Sequence, residues 1–265
     1  MRPAQPLSFK LGILQCDQVA PDLAERHGDY PQMFRKLFES VLPGLDYAAY
    51  DLTALQFPET LDECDAWLFT GSKYSVLDDE PWIHRARDLA FALHQAQRPL
   101  IGICFGHQLI ATALGGEVTK SDKGWGVGNH SAKMLQCPDW ITSGCDTFRL
   151  LVSHQDQVTA LPDGAQRLAG HDFCPNDVVQ IGATTLTFQG HPEFSKDYSR
   201  DLLNKRQTIL GPQLYQSGLQ SLEQPLDDQL VAQWILTFLQ QAISSKRIGQ
   251  NQSEGSSSTH PSGKT

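Results

Sequence analysis

The chain has no C-x-x-C pair, no run of about 20 apolar residues, and no Lys/Arg-rich block outside its last residues. Each absence closes a class of function. Six cysteines, at positions 16, 64, 104, 137, 145 and 174, are scattered through 265 residues, a chain too large to need disulfide stapling and without zinc-ligand spacing. Free thiols and no metal are therefore expected. Lacking a long apolar run, the chain has no candidate membrane span, and residues 1–10 carry no apolar signal-peptide core, so a cytoplasmic protein is expected. A formal net charge of -9 argues against nucleic acid or an anionic membrane as partner, since both demand a basic surface. There is no G-x-x-x-x-G-K-[ST] phosphate loop and no internal repeat.

What is present is material for one large domain, with 40% hydrophobic residues to fill its core. Strand-like runs fall at residues 9–15, 46–50, 66–70 and 100–103. Helical spacing lies between several of them, at 30–41, where Pro43-Gly44 stops it, and at 80–97, with Pro81 in the first turn. This α/β alternation predicts a mostly parallel sheet with helices on both faces, and ligands at the carboxyl ends of its strands. From 117 to 189 the pattern breaks into short β pieces, including 147–152, 178–181 and 184–189, which predicts a small antiparallel insertion. An amphipathic helix over 226–243 closes the domain. The expected organisation is an extension at 1–7, a domain at 8–243, and a disordered Ser/Gly/Gln-rich tail at 244–265.

The segment Pro99-Leu-Ile-Gly-Ile-Cys-Phe-Gly-His-Gln-Leu-Ile110 sets Cys104 between Gly102 and Gly106, where a strand must turn sharply into a helix. The arrangement parallels the strained elbow G-x-S-x-G with cysteine in place of serine. Only a thiolate attacks well, and a helix beginning at Phe105 would aim unpaired N–H groups at the sulfur. A cysteine in this setting is either a small buried hydrophobe or an activated nucleophile, and the flanking glycines favour the second.

A cysteine nucleophile needs a base, and the base needs an acceptor to orient it. Among nine histidines, His191 follows the β-like run 184–189 and opens Gly190-His-Pro-Glu-Phe194. Pro192 fixes the backbone so that His191 and Glu193 project to one side of an extended tripeptide. A surface turn holding an unrelated His and Glu is the other reading of that spacing.

Taken together, Gly102-Ile-Cys-Phe-Gly-His-Gln108 and Gln189-Gly-His-Pro-Glu193 resemble the G-x-C-x-G-x-Q and H-P-E motifs of the class I (triad) glutamine amidotransferase family, in particular its stand-alone GMP-synthase-like members. Thr70-Gly-Ser-Lys-Tyr-Ser-Val76 is similar to that family's oxyanion loop, and Ser153-His-Gln-Asp-Gln-Val158 to its glutamine-pocket segment; the match runs in family order from Phe9 to Phe194. The resemblance implies a flavodoxin-like fold and a catalytic set of Cys104, His191 and Glu193. It also implies an oxyanion hole from the N–H groups of Gly71 or Ser72 and of Phe105, and substrate contacts from Gln108, Gln155 and Asp156. The implied reaction is hydrolysis of the amide of L-glutamine through a γ-glutamyl thioester, without a cofactor, releasing ammonia for a separate synthetase on another chain.

Two alternatives stand beside this one. The chain could resemble the γ-glutamyl peptidases of the same superfamily, cleaving a larger amine from another γ-glutamyl small molecule such as a glutathione conjugate, or it could be a silent binding module of the same fold. Lys73, Tyr74 and residues 121–129 are where a wider pocket would show. His154 and Asp156 could equally be ordinary loop residues, His107 should point away from the nucleophile, and Trp82, Trp125 and Trp234 read as packing residues. Ser143-Gly-Cys-Asp-Thr147 lacks the second glycine of a pyrophosphatase loop and is discounted. The oligomeric state is not legible.

Overall fold

The computed structural model describes residues 8–141 and 146–255. The first half runs β1 (Lys10–Gln15), α1 (Pro21–His27), α2 (Tyr30–Glu39), β2 (Asp46–Asp51), β3 (Ala66–Phe69), α3 (Pro81–Gln95), β4 (Leu100–Ile103) and α4 (Phe105–Ala113). It continues with β5 (Glu117–Lys120), β6 (Gly126–Met134), β7 (Thr147–His154), β8 (Asp156–Ala160), β9 (Ala165–Gly170), β10 (Val178–Ile181) and β11 (Thr185–Phe188). Two long helices, α5 (Lys196–Ser221) and α6 (Asp228–Gly255), follow.

Nine strands form one sheet in the order β2-β1-β3-β4-β11-β10-β9-β6-β7. The five strands from β2 to β11 pair in parallel, and β10, β9, β6 and β7 extend the sheet antiparallel. The expected α/β sheet is therefore present. Its antiparallel part is an extension of the same sheet, and only β5 and β8 stand apart as a separate ribbon.

Alternation along the strands builds two cores. Leu11, Ile13, Leu68, Ile101 and Ile103 face α2 and α6, where Phe34, Phe38, Trp234, Ile235 and Phe238 cover them. Leu14, Trp67, Phe69 and Leu100 face the other way, against Trp82, Ile83 and Leu93 of α3 and Phe105, Leu109 and Ile110 of α4. Trp82 and Trp234 are thus packing residues, 5% and 3% exposed. Asp29 caps α2 in a reciprocal box with Gln32, and its carboxylate also accepts from Gln15 Nε2 at 2.6 Å, fastening the helix to the end of β1.

The closing helix differs from the sequence reading. It runs on to Gly255 rather than ending at Ile243, so the first part of the expected tail is helical. A helix already docked by Trp234, Phe238 and Leu239 propagates cheaply through polar residues. The hydroxyls of Ser244 and Ser245 bond back to the Gln240 and Gln241 carbonyls at 2.8 and 3.0 Å. Residues 1–7 and 256–265, and most of the discounted 143–147 segment, lie outside the described residues. Among the described residues, no helix is long and apolar enough to cross a membrane.

Backbone approaches backbone closely where α4 leaves β4. A Cβ on Gly102 would meet the Gly106 carbonyl oxygen at 2.6 Å, and one on Gly106 would meet the Phe69 carbonyl oxygen at 2.5 Å. Backbone cannot yield as a side-chain tip can. Gly106→Ala is expected to destabilise the protein by about 1–3 kcal/mol, the usual cost of overpacking, read as a lower urea midpoint. Unchanged stability would mean that β3 and α4 can move apart freely.

Candidate active site

Cys104 occupies the N-cap of α4 with φ 52° and ψ −100°, a left-handed conformation rare for a residue with a side chain. Such a backbone costs on the order of 1–3 kcal/mol and persists only where its surroundings impose it. Three hydrogen bonds do so here. Cys104 N donates to Phe188 O at 2.8 Å, Gly106 N to Thr70 O at 3.2 Å, and Gln108 N to Cys104 O at 3.1 Å. The elbow is thereby tied to the carboxyl ends of β11 and β3, the strands on either side of β4.

Each neighbouring strand brings a further part. After β11, His191 N donates to Leu151 O at 2.8 Å, and His191 Nδ1 lies 2.7 Å from Glu193 Oε1. Bonding Nδ1 to the carboxylate leaves Nε2 for the thiol. After β3, Gly71 lets the ring approach, because a Cβ there would lie 2.7 Å from His191 Cε1 and 3.7 Å from Cys104 Cβ. The Phe194 ring stacks on the imidazole at 3.8 Å and 9°. Cys104, His191 and Glu193 therefore come together as the motifs predict, with His191 and Glu193 side chains 3% and 0% exposed.

Burial alone would push the His191 imidazole down, but Glu193 and then Cys104, which also hydrogen-bonds the ring, outweigh it and raise the pKa to about 10. Other buried histidines lack such a neighbour. Burial drives His107 and His154 down to about 3, so both are neutral. His107 turns away from the nucleophile, as expected, with Nδ1 2.8 Å from Thr187 Oγ1 on β11.

The backbone N–H groups of Gly71, Ser72 and Phe105 donate to no protein acceptor among the described residues; Phe105 opens α4 next to Cys104, and a Cβ on Gly71 would lie 3.7 Å from Cys104 Cβ. A cavity of about 280 Å³ opens above it, lined by Cys104, Ser72, Gln108, Gln155 and Asp156. All three substrate-side positions are more occupied than the motifs suggest. Gln108 is 3% exposed, and its amide nitrogen donates to Asp156 O at 2.7 Å and Gln189 Oε1 at 3.1 Å. The Asp156 carboxylate accepts from Ser75 Oγ at 2.5 Å, and Gln155 O accepts from Ser121 N at 2.9 Å. Gln108 thus braces the pocket wall, and its own carbonyl oxygen is what it can offer a ligand.

Arg206 has no motif around it and is invisible to sequence reasoning. It reaches from α5 to Ser153 Oγ at 2.5 Å, lies 5.1 Å over the Trp125 ring, and lines the cavity together with that ring. Trp125 therefore packs against the apolar cluster of Val127, Leu151 and Phe194, as expected, and also forms a wall of the cavity. Cys16, Cys64, Cys137 and Cys174 are, like Cys104, unpaired, and Cys145 lies outside the described residues. Among the described residues no cluster of three or more His, Cys, Asp or Glu is placed to hold a metal.

Comparison with known proteins adds the following. The family model for glutamine amidotransferase class-I matches residues 54–207. The Saccharomyces cerevisiae protein YLR126C, whose name assigns it to the glutamine amidotransferases, is 32% identical over 215 residues, 76% of this chain and 85% of its own. Gamma-glutamyl peptidase 3 of Arabidopsis thaliana is 26% identical over 209 residues, 76% of this chain and 82% of its own. A glutamine amidotransferase from Thermotoga maritima superposes with a TM-score of 0.69 at 16% identity, covering 89% of this chain and 99% of that one, a likeness of fold alone.

The raised His191 pKa has a consequence for stability. An unfolded imidazole loses its proton near its ordinary value of about 6.5, whereas the folded ring keeps it to about pH 10. The ring's contribution is thus fully present below the unfolded value and is lost as pH rises toward the folded one. Glu193→Gln should therefore destabilise the protein most near pH 6 and less near pH 9.5, by urea unfolding at both. A pH-independent difference would show that Glu193 does not hold the proton.

Proposed function

This chain belongs to the class I glutamine amidotransferase family, and on that premise we propose that it hydrolyses a γ-glutamyl amide with Cys104, His191 and Glu193. The observation that carries this is the conjunction of the positive-φ elbow at Cys104 with the buried His191–Glu193 pair at 2.7 Å. The Cys104 thiolate attacks the side-chain amide carbon, and the carbonyl electrons move to oxygen. That oxyanion takes hydrogen bonds from Phe105 N–H and from Gly71 or Ser72 N–H. His191 gives its proton to the leaving nitrogen as the C–N bond breaks, which leaves a γ-glutamyl thioester. Water then adds to the thioester carbon and gives a proton to His191, and the C–S bond breaks to return the thiolate and release glutamate. Glu193 holds the ring's orientation and stabilises its charge throughout.

With L-glutamine as substrate the leaving group is ammonia, which a separate synthetase would consume. A second reading, γ-glutamyl peptide cleavage, has support from a specific feature. His191 does not line the cavity above Cys104 but a second one of about 270 Å³, next to the first, with Ser72, Lys73, Ser153 and Arg206 lining both. Ammonia needs no such space. The name of the Arabidopsis relative points the same way.

Cys104→Ala is expected to lower turnover of L-glutamine and of γ-glutamyl peptides by at least about 10³-fold while the far-UV circular dichroism stays unchanged. Undiminished product release would overturn the mechanism. The glutamine analogue 6-diazo-5-oxo-L-norleucine should label Cys104 alone among the six cysteines in peptide mass spectrometry, and labelling at another cysteine would move the site.

A further inference from the structure

Cys104 and His191 line different cavities, which share Ser72, Lys73, Ser153 and Arg206. Cys104 and Gln108 stand in one, so the acyl portion of a γ-glutamyl amide lies there. His191 stands in the other, and the nitrogen that takes its proton must lie on that side. Whatever substituent the nitrogen carries then extends into the second cavity.

The walls of that cavity are mostly apolar. Val19 and Leu23 come from β1's exit and α1, Tyr30 from α2, and Phe194, Tyr198 and Leu202 from the turn after His191 and from α5. All but the half-buried Leu202 are 6% exposed or less. Two of the charges at its rim are neutralised within the protein. Lys73 Nζ pairs with Asp17 at 2.9 Å, and Lys205 Nζ pairs with Asp22 at 2.5 Å. At about 270 Å³ the space is several times that of a water-sized molecule such as ammonia.

We infer that the cavity beside His191 is a leaving-group subsite that selects γ-glutamyl amides whose amine carries an apolar side chain. The inference rests on the hydrolase reading above, since it is the direction of proton delivery that assigns the leaving nitrogen to this side. The side chain gains by leaving water for Leu23, Phe194 and Leu202, and ammonia or an unsubstituted amine gains nothing comparable.

The test uses γ-L-glutamyl-L-phenylalanine and γ-L-glutamylglycine, which share every polar group and differ only in the side chain. Calorimetric titration of Cys104→Ala should give about tenfold or more tighter binding of the phenylalanine compound, the scale expected for burying an aromatic side chain. The wild type should show a similar ratio in kcat/KM, with L-glutamine no better than the glycine compound. Leu202→Glu places a carboxylate in the half-buried wall and should collapse both ratios toward one. Equal binding of the two dipeptides, or binding of neither, would overturn the subsite. Cys104-dependent hydrolysis of both at equal kcat/KM would overturn it while leaving the hydrolase reading standing. Preferential binding with no turnover by the wild type would uphold the cavity's selectivity and sink the hydrolase reading.

Discussion

The site depends on one backbone constraint, the left-handed conformation at Cys104. A residue with a Cβ adopts it at a cost of on the order of 1–3 kcal/mol, so the surroundings must hold the turn closed. They do so by proximity. Gly102 lets the Gly106 carbonyl lie against β4, and Gly106 lets the whole of α4 lie against β3. With that contact made, Gly106 N donates to Thr70 O and Gly71 lies beside Cys104.

A buried charge pair completes the arrangement, and its energetics run against simple expectation. Desolvation is the largest influence on the His191 proton and opposes it, yet Glu193 at 2.7 Å and Cys104 together prevail. His154 and His107, equally deep, show what burial does when no anion stands beside the ring. The difference is positional: His191 and Glu193 are separated only by Pro192, and Leu151 on β7 holds the His191 backbone N–H. Among the described residues the second oxygen of Glu193 is buried without a partner, and the imidazole is the one group bonded to the carboxylate. That is reason for the pair to act as one unit.

The parts legible in the sequence are those fixed by local chemistry. Two glycines around a cysteine, H-P-E after a β run, and the short apolar run at 100–103 each demand a particular backbone, and each is found where its residues require. The helix expected over 30–41 was legible from its apolar spacing and forms over Tyr30–Glu39, capped by Asp29 with Gln32. Long-range features left weaker traces. α5 buries few residues, among them Tyr198, Leu203 and Leu210, and is interrupted at Gly211 with φ 72°, so its periodicity is faint. α1 is only seven residues long. That Gln108 spends its amide nitrogen on Asp156 and Gln189 follows from strands 48 and 81 residues away, which no local pattern encodes.

This division bears on how such a chain acquires specificity. The groups proposed for catalysis lie at the ends of β3, β4 and β11, three adjacent parallel strands whose register leaves little freedom. The walls of the cavity beside His191 come instead largely from α1, the start of α2 and α5, elements that touch the sheet's end but take no part in its pairing. α1 is joined to α5 by surface ion pairs, Arg26 to Asp201 and Asp22 to Lys205, by the more buried His27–Asp201 contact, and by an apolar cluster that includes Leu23, Tyr198 and Leu203. The two surface pairs contribute about 0–1 kcal/mol each. On the reading proposed above, a substitution at Leu202 or Leu23 alters which amine fits while the attack on the carbonyl carbon is unchanged, so chemistry and leaving-group choice are held by different parts of one fold, with His191 common to both.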